Sequence, residues 1–166
     1  MKTPQTLSAR LLAIDSLARL KQTRRPLSDI VDELGANKRI ELLERRLAHE
    51  ILFRVLRHYQ YLDHILTGFL KKPINKLHPL ILQGLRVGLA QILYLDAIPA
   101  FAAVDETVKA LKRLKMRPQL TGLVNGVLRA VIRKKNTIPN EESLNDILNH
   151  PRWLTDRWHT QFGRDE

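Results

Sequence analysis

The stretch Leu80–Leu95, LILQGLRVGLAQILYL, decides the fold class. It is the longest apolar run in the chain, but Gln83, Arg86 and Gln91 interrupt it, and it falls short of the ~20 residues that span a bilayer. His78-Pro79 opens it in the way proline opens a helix. Gly84 and Gly88 stand four apart, a spacing that lets a second helix approach closely. The run therefore reads as a helix packed among helices.

The same periodicity continues on both sides. Toward the N-terminus, Tyr61–Leu70 reads as a helix closed by Lys71-Lys72-Pro73. Arg39–Arg57 carries Leu42, Leu43, Leu47, Ile51, Leu52, Phe53, Val55 and Leu56 around most of its circumference, so it is expected to be the central, most buried helix. Leu27–Leu34 forms a short helix stopped by Gly35. Leu7, Leu11, Ile14 and Ala18 line one face of a first helix, with Thr3-Pro4 as its expected start. Toward the C-terminus, Ala97-Ile98-Pro99 breaks the chain, Ala102–Leu114 is helical, and Arg117-Pro118 begins a helix running to about Lys135. No strand pattern or hairpin signal appears, and the scarcity of aromatics, 5% of residues, also favours packed helices. The fold class is all-α.

Composition limits the chemistry. Lys and Arg number 28 against 17 Asp and Glu, a formal charge of +11, which calls for a polyanionic partner. There is no cysteine, which excludes disulfides and thiolate metal sites. The histidines at 49, 58, 64, 78, 150 and 159 form no paired ligand spacing, so no metal is expected, and His49 and His58 read as packing or hydrogen-bonded residues. No P-loop, Gly-rich dinucleotide turn or nucleophile elbow is present, so no cofactor is expected in this chain. The N-terminus has no secretory pattern, and the expected setting is cytoplasmic, without a membrane role.

The bases are clustered. Between Asp105 and Lys135 the only acids are Asp105 and Glu106, against Lys109, Lys112, Arg113, Lys115, Arg117, Arg129, Arg133, Lys134 and Lys135. On the Ala102–Leu114 helix, Val104, Val108 and Leu111 form the inner face, with Lys109, Lys112 and Arg113 opposite. On the next helix, Leu120, Leu123, Val124, Val127 and Val131 form the apolar face, leaving Gly122, Asn125, Gly126, Arg129 and Arg133 on the other. Two readings stay open. Either the glycines bare a backbone strip whose flanking guanidiniums grip phosphate, or they admit a neighbouring helix whose groove the arginines fill. A second cluster, Arg10, Arg19, Lys21, Arg24 and Arg25 near Asp15, fits an RNA contact or a solvated helix end.

Several stretches together resemble a known family: Glu44-Arg45-Arg46-Leu47-Ala48-His49-Glu50 leading to Val55-Leu56-Arg57, Leu85-Arg86-Val87-Gly88, Ala102-Ala103-Val104-Asp105-Glu106, Gly122-Leu123-Val124-Asn125-Gly126-Val127-Leu128-Arg129, and His150-Pro151-Arg152-Trp153-Leu154. They are similar to the N-terminal, NusB-like domain of the small-subunit rRNA cytosine-C5 methyltransferases of the RsmB (Sun/Fmu) family. Phe101 and Asp105 stand where that family often has His and Asn. The resemblance implies about seven to nine helices in two packed sub-bundles. It also implies an RNA-binding role toward rRNA, for which the basic clusters offer Arg129, Arg133, Lys109, Lys112, Arg113, Lys115, Arg117, Arg10, Arg24 and Arg25 as candidate contacts.

It implies too a catalytic methyltransferase domain, C-terminal to this chain, that uses S-adenosylmethionine and a cysteine nucleophile, which this chain lacks. Residues 1–135 then form the RNA-binding domain, and 136–166, with Trp153, Leu154, Trp158 and Phe162, the connection to that catalytic domain. The alternative is a free-standing NusB-like antitermination factor that binds RNA and a ribosomal protein.

Overall fold

The computed structural model describes residues 7–23, 25–36 and 40–148, with side chains to residue 144. Among them the chain forms eight α-helices and no strand: α1 (Ala9–Gln22), α2 (Leu27–Ala36), α3 (Leu42–Arg57), α4 (Tyr59–Phe69), α5 (Pro79–Tyr94), α6 (Ala100–Arg113), α7 (Pro118–Arg133) and α8 (Glu141–Leu148). The proposed Thr3-Pro4 start, Arg24 and the Trp153–Phe162 aromatics lie outside the described residues. The helix that begins at Ala9 is capped instead by Ser8, whose Oγ accepts from the Leu11 amide at 3.3 Å. The Ala9 amide donates to Glu44 Oε2 at 2.6 Å, so an acid from α3 sits on the positive end of α1.

The centre of the molecule is α5, where every residue from Ile81 to Ile92 is buried, and not α3. α1 packs against α2, α3, α5 and α6, while α5 touches α1, α3, α4, α6 and α7, joining the α1–α3 group to the α6–α7 pair. α3 leaves Leu42, Leu43, Phe53 and Leu56 exposed, so its apolar circumference is covered on one side only. The polar breaks in the α5 run are internal connections. Arg86 grips Asp63 with two 2.7 Å bonds, bonds Gln83 Oε1 at 3.2 Å, and lies 4.0 Å over the Tyr59 ring. A buried guanidinium is tolerated when its donors are satisfied in this way. Gln91 accepts from Arg10 Nε at 2.8 Å and donates to Val87 O and to Thr107 Oγ1, tying α1, α5 and α6.

Gly84 and Gly88 have the expected role: a Cβ at either would collide with Leu111 or Leu128, the residues that α6 and α7 press against α5. Beyond Lys135 the packing continues. Ile138 and Leu144 rest on the core, Tyr61 donates to Pro139 O at 2.7 Å, and Glu141 joins His58 and Tyr94. Among the described residues the segment that follows residue 135 thus packs on the helices before it.

Candidate nucleic-acid interface

α7 is amphipathic: Thr121, Val124, Val127, Leu128 and Val131 are buried. At ~100° per residue the opposite face is centred on Gly122, Gly126, Arg129 and Arg133, and all four are exposed. A Cβ at Gly122 or Gly126 would meet nothing within 4 Å. Among the described residues no helix covers the glycines, which favours the bare-backbone reading. Asn125, expected on that face, is only half exposed.

α6 lies beside this strip, with its first turn near the last turn of α7. Ala100, Phe101, Val104, Arg129, Ile132 and Arg133 line a groove of about 440 Å³. Arg129 and Asp105 approach at 4.0 Å, with more than half of each side chain exposed. Solvent screens such a pair heavily, so Arg129 remains available to an anion.

Helical geometry sorts the α6 bases. Phe101, Asp105 and Lys112 follow one stripe beside α7, while Lys109 and Arg113 point further round. Lys109 bonds Glu106 at 2.7 Å, which holds its pKa above the usual lysine value. Lys112 stands about 16 Å along α6 from Phe101, near Lys115 and Arg117 in the α6–α7 turn. The basic surface therefore has two ends, Arg129/Arg133 and Lys112/Lys115/Arg117, joined by the bare face of α7.

In the N-terminal cluster, Arg10, Arg19 and Arg25 are all engaged by neighbouring side chains. Arg10 is 8% exposed, and its pKa is lowered by burial and raised by the nearby Glu44 and Glu106. It is an internal strut and not a solvent-facing contact, which corrects its assignment as an RNA-contact candidate. Arg25 bonds Glu33 at 2.6 Å and Arg19 pairs with Asp15 at 3.1 Å, so acids offset the bases there.

Two features were missed by the sequence reading. One is the Phe101 groove, for which the only signal was a large aromatic off the inner face of α6. The other is the exposed α3 face, where the Arg54 and Arg57 guanidiniums lie over the Phe53 ring at 5.9 and 5.8 Å from its centre. No helix among the described residues is long and apolar enough to cross a membrane.

Comparison with known proteins fits this architecture. The chain resembles ribosomal RNA small subunit methyltransferase B of Proteus mirabilis, 35% identical over 158 residues, covering 95% of this chain. It also resembles the probable enzyme of that name from Bacillus subtilis, 29% identical over 163 residues, covering 94% of this chain. It spans only 36% of the length of either relative. A chain in the crystal structure of a plectonemic RNA supercoil superposes with TM-score 0.70 at 22% identity, over 79% of this chain and 96% of that one. A chain in the crystal structure of antitermination factors NusB and NusE with dsRNA gives 0.67 at 22%, over 75% and 93%. With the NusB family model matching residues 7–133, the described helical body almost entirely, the chain belongs to the NusB family.

Proposed function

We propose that this chain is the RNA-binding domain of a small-subunit rRNA methyltransferase B, and that it holds rRNA phosphates along the outer face of α7. The observation that carries the reading is the bare Gly122–Gly126 backbone flanked by exposed Arg129 and Arg133, on a chain of charge +11. Backbone without side chains lets a phosphate chain come close, and a guanidinium can hold phosphate with two bonds. The relatives support the methyltransferase setting over a free-standing antitermination factor. In that setting S-adenosylmethionine and the cysteine nucleophile belong to the part of the relatives that this chain does not span, and the setting is cytoplasmic.

Anisotropy titrations of the chain with labelled RNA over a salt series test the proposal. Affinity should fall linearly in a log–log salt plot, with a slope of about −0.7 per neutralised phosphate for single strands. Arg129→Ala with Arg133→Ala should weaken binding evenly across RNA sequences and flatten the slope by roughly one to two units. An unchanged slope, with only a lower melting temperature, would assign the arginines to stability and overturn the proposal.

A further inference from the structure

Phosphate binding does not use the apolar side of the α6–α7 groove. Phe101 sits in the first turn of α6 with 71% of its surface exposed, among the most exposed large hydrophobics of the described residues. Its ring takes part in none of the ring contacts found there. Phe53 shows the contrast, since two guanidiniums of its own helix lie over its ring. At Phe101 the guanidiniums stand across the groove, on Arg129 and Arg133, and the floor is Ala100, Val104 and Ile132.

We infer that this groove seats an unpaired RNA base, stacked on Phe101 while Arg129 and Arg133 hold the adjoining phosphates. The inference rests on the RNA-binding reading and adds to it the class of RNA. A base within a duplex is covered by its neighbours and cannot reach a side-chain ring, whereas loops, bulges and single strands splay theirs out. An aromatic platform beside cationic phosphate contacts is the usual arrangement of single-strand binding surfaces. The positive rim matches the anionic backbone entering the groove, and the aliphatic floor matches a base more than a hydrated phosphate. Apart from the two arginines the lining has no side-chain donor or acceptor, so the site distinguishes unpaired from paired RNA rather than one base from another.

The test uses the full chain, a short single-stranded RNA carrying a fluorescent adenine analogue, and the same strand annealed to its complement. The single strand should bind more tightly than the duplex, with the analogue's fluorescence quenched on binding. Phe101→Ala should weaken the single strand roughly five- to hundredfold, the range carried by one stacked base, and leave the duplex unchanged. Phe101→Trp should restore the quenching. Phe101 is exposed, so circular dichroism and melting temperature should match the wild type in both variants.

If Phe101→Ala affects neither RNA while the arginine double variant still flattens the salt slope, the RNA reading stands and the stacking site is wrong. If wild-type chain binds neither RNA at low salt, both fall. Loss of a sedimenting dimer in Phe101→Ala, with RNA affinity unchanged, would place a second copy in the groove and also overturn the inference.

Discussion

Gly84 and Gly88 have the same four-residue spacing as Gly122 and Gly126, and one substitution separates the two pairs. At Gly88 a methyl group would press into Leu128. Gly88→Ala should therefore cost about 1–3 kcal/mol by overpacking, read as a lower denaturation midpoint. At Gly122 and Gly126 a methyl group meets nothing described, and alanine favours helix by about 1 kcal/mol per site. Gly122→Ala with Gly126→Ala should thus raise the melting temperature by a few degrees while weakening RNA binding. Stabilisation with unchanged affinity would show that the RNA backbone never approaches the strip. Asp105 gives a second residue-scale test, since its carboxylate is 4.0 Å from Arg129. Asp105→Asn should raise RNA affinity about twofold, the scale of an exposed pair, without shifting the melting temperature. No gain would mean that Arg129 is not a contact.

Lys115 is the described non-glycine residue with positive φ, at 60°. It closes α6 in a Schellman arrangement: the Met116 amide bonds Leu111 O at 3.1 Å and the Lys115 amide bonds Lys112 O at 2.9 Å. A side chain in this left-handed conformation costs about 1 kcal/mol where glycine would cost little. Lys115→Gly should stabilise the fold by about that amount in urea melts while lowering RNA affinity, because it removes a charge from one end of the basic surface. At α8, Glu141 accepts from Tyr94 at 2.6 Å and lies 2.7 Å from His58 Nδ1, with the His58 and Tyr94 rings stacked at 4.0 Å. Burial, reinforced by Glu141, pushes the Tyr94 hydroxyl far above its usual pKa. Tyr94→Phe should cost about 1–2 kcal/mol and speed amide exchange in α8 more than in α4 or α5. Equal acceleration in all three would mean that the hydroxyl stabilises the core and does not tether α8. Helices α1 to α7 were legible because period-3.6 apolar spacing marks each of them, whereas α8 was not, since residues 136–149 are polar and poor in large apolar side chains. Their depth was not: α3 and α5 both carry apolar residues all round, and only their neighbours decide which is covered. Arg86 and Gln91 read as breaks because their partners, Asp63 for the first and Arg10 and Thr107 for the second, lie on other helices, while Gln83 is held by Arg86 on α5 itself.

The candidate site was legible on α7, where one helix carries both glycines and both arginines. The groove was not, because it exists only once α6 lies beside α7. Arg10 was misplaced for the same reason, since nothing local shows that Gln91 receives it inside the core. These assignments make net charge and local surface separable across the whole molecule. The chain carries +11, and charge alone draws a polyanion to any basic face. Two variants with equal net charge test whether position matters: Lys21→Gln with Arg25→Gln at the α1–α2 end, and Arg129→Gln with Arg133→Gln on α7. Both are exposed pairs, and both variants lie two units below the wild type in charge. Arg25 is already offset by Glu33, whose carboxyl it holds below the usual range. If RNA responds only to the total field, the two variants should lose affinity equally, with nearly parallel salt plots. If phosphates sit on α7, the α7 variant alone should flatten the slope, by roughly one to two units, while the α1–α2 variant keeps the wild-type slope with a small uniform loss. The reverse pattern would move the interface to the α1–α2 end.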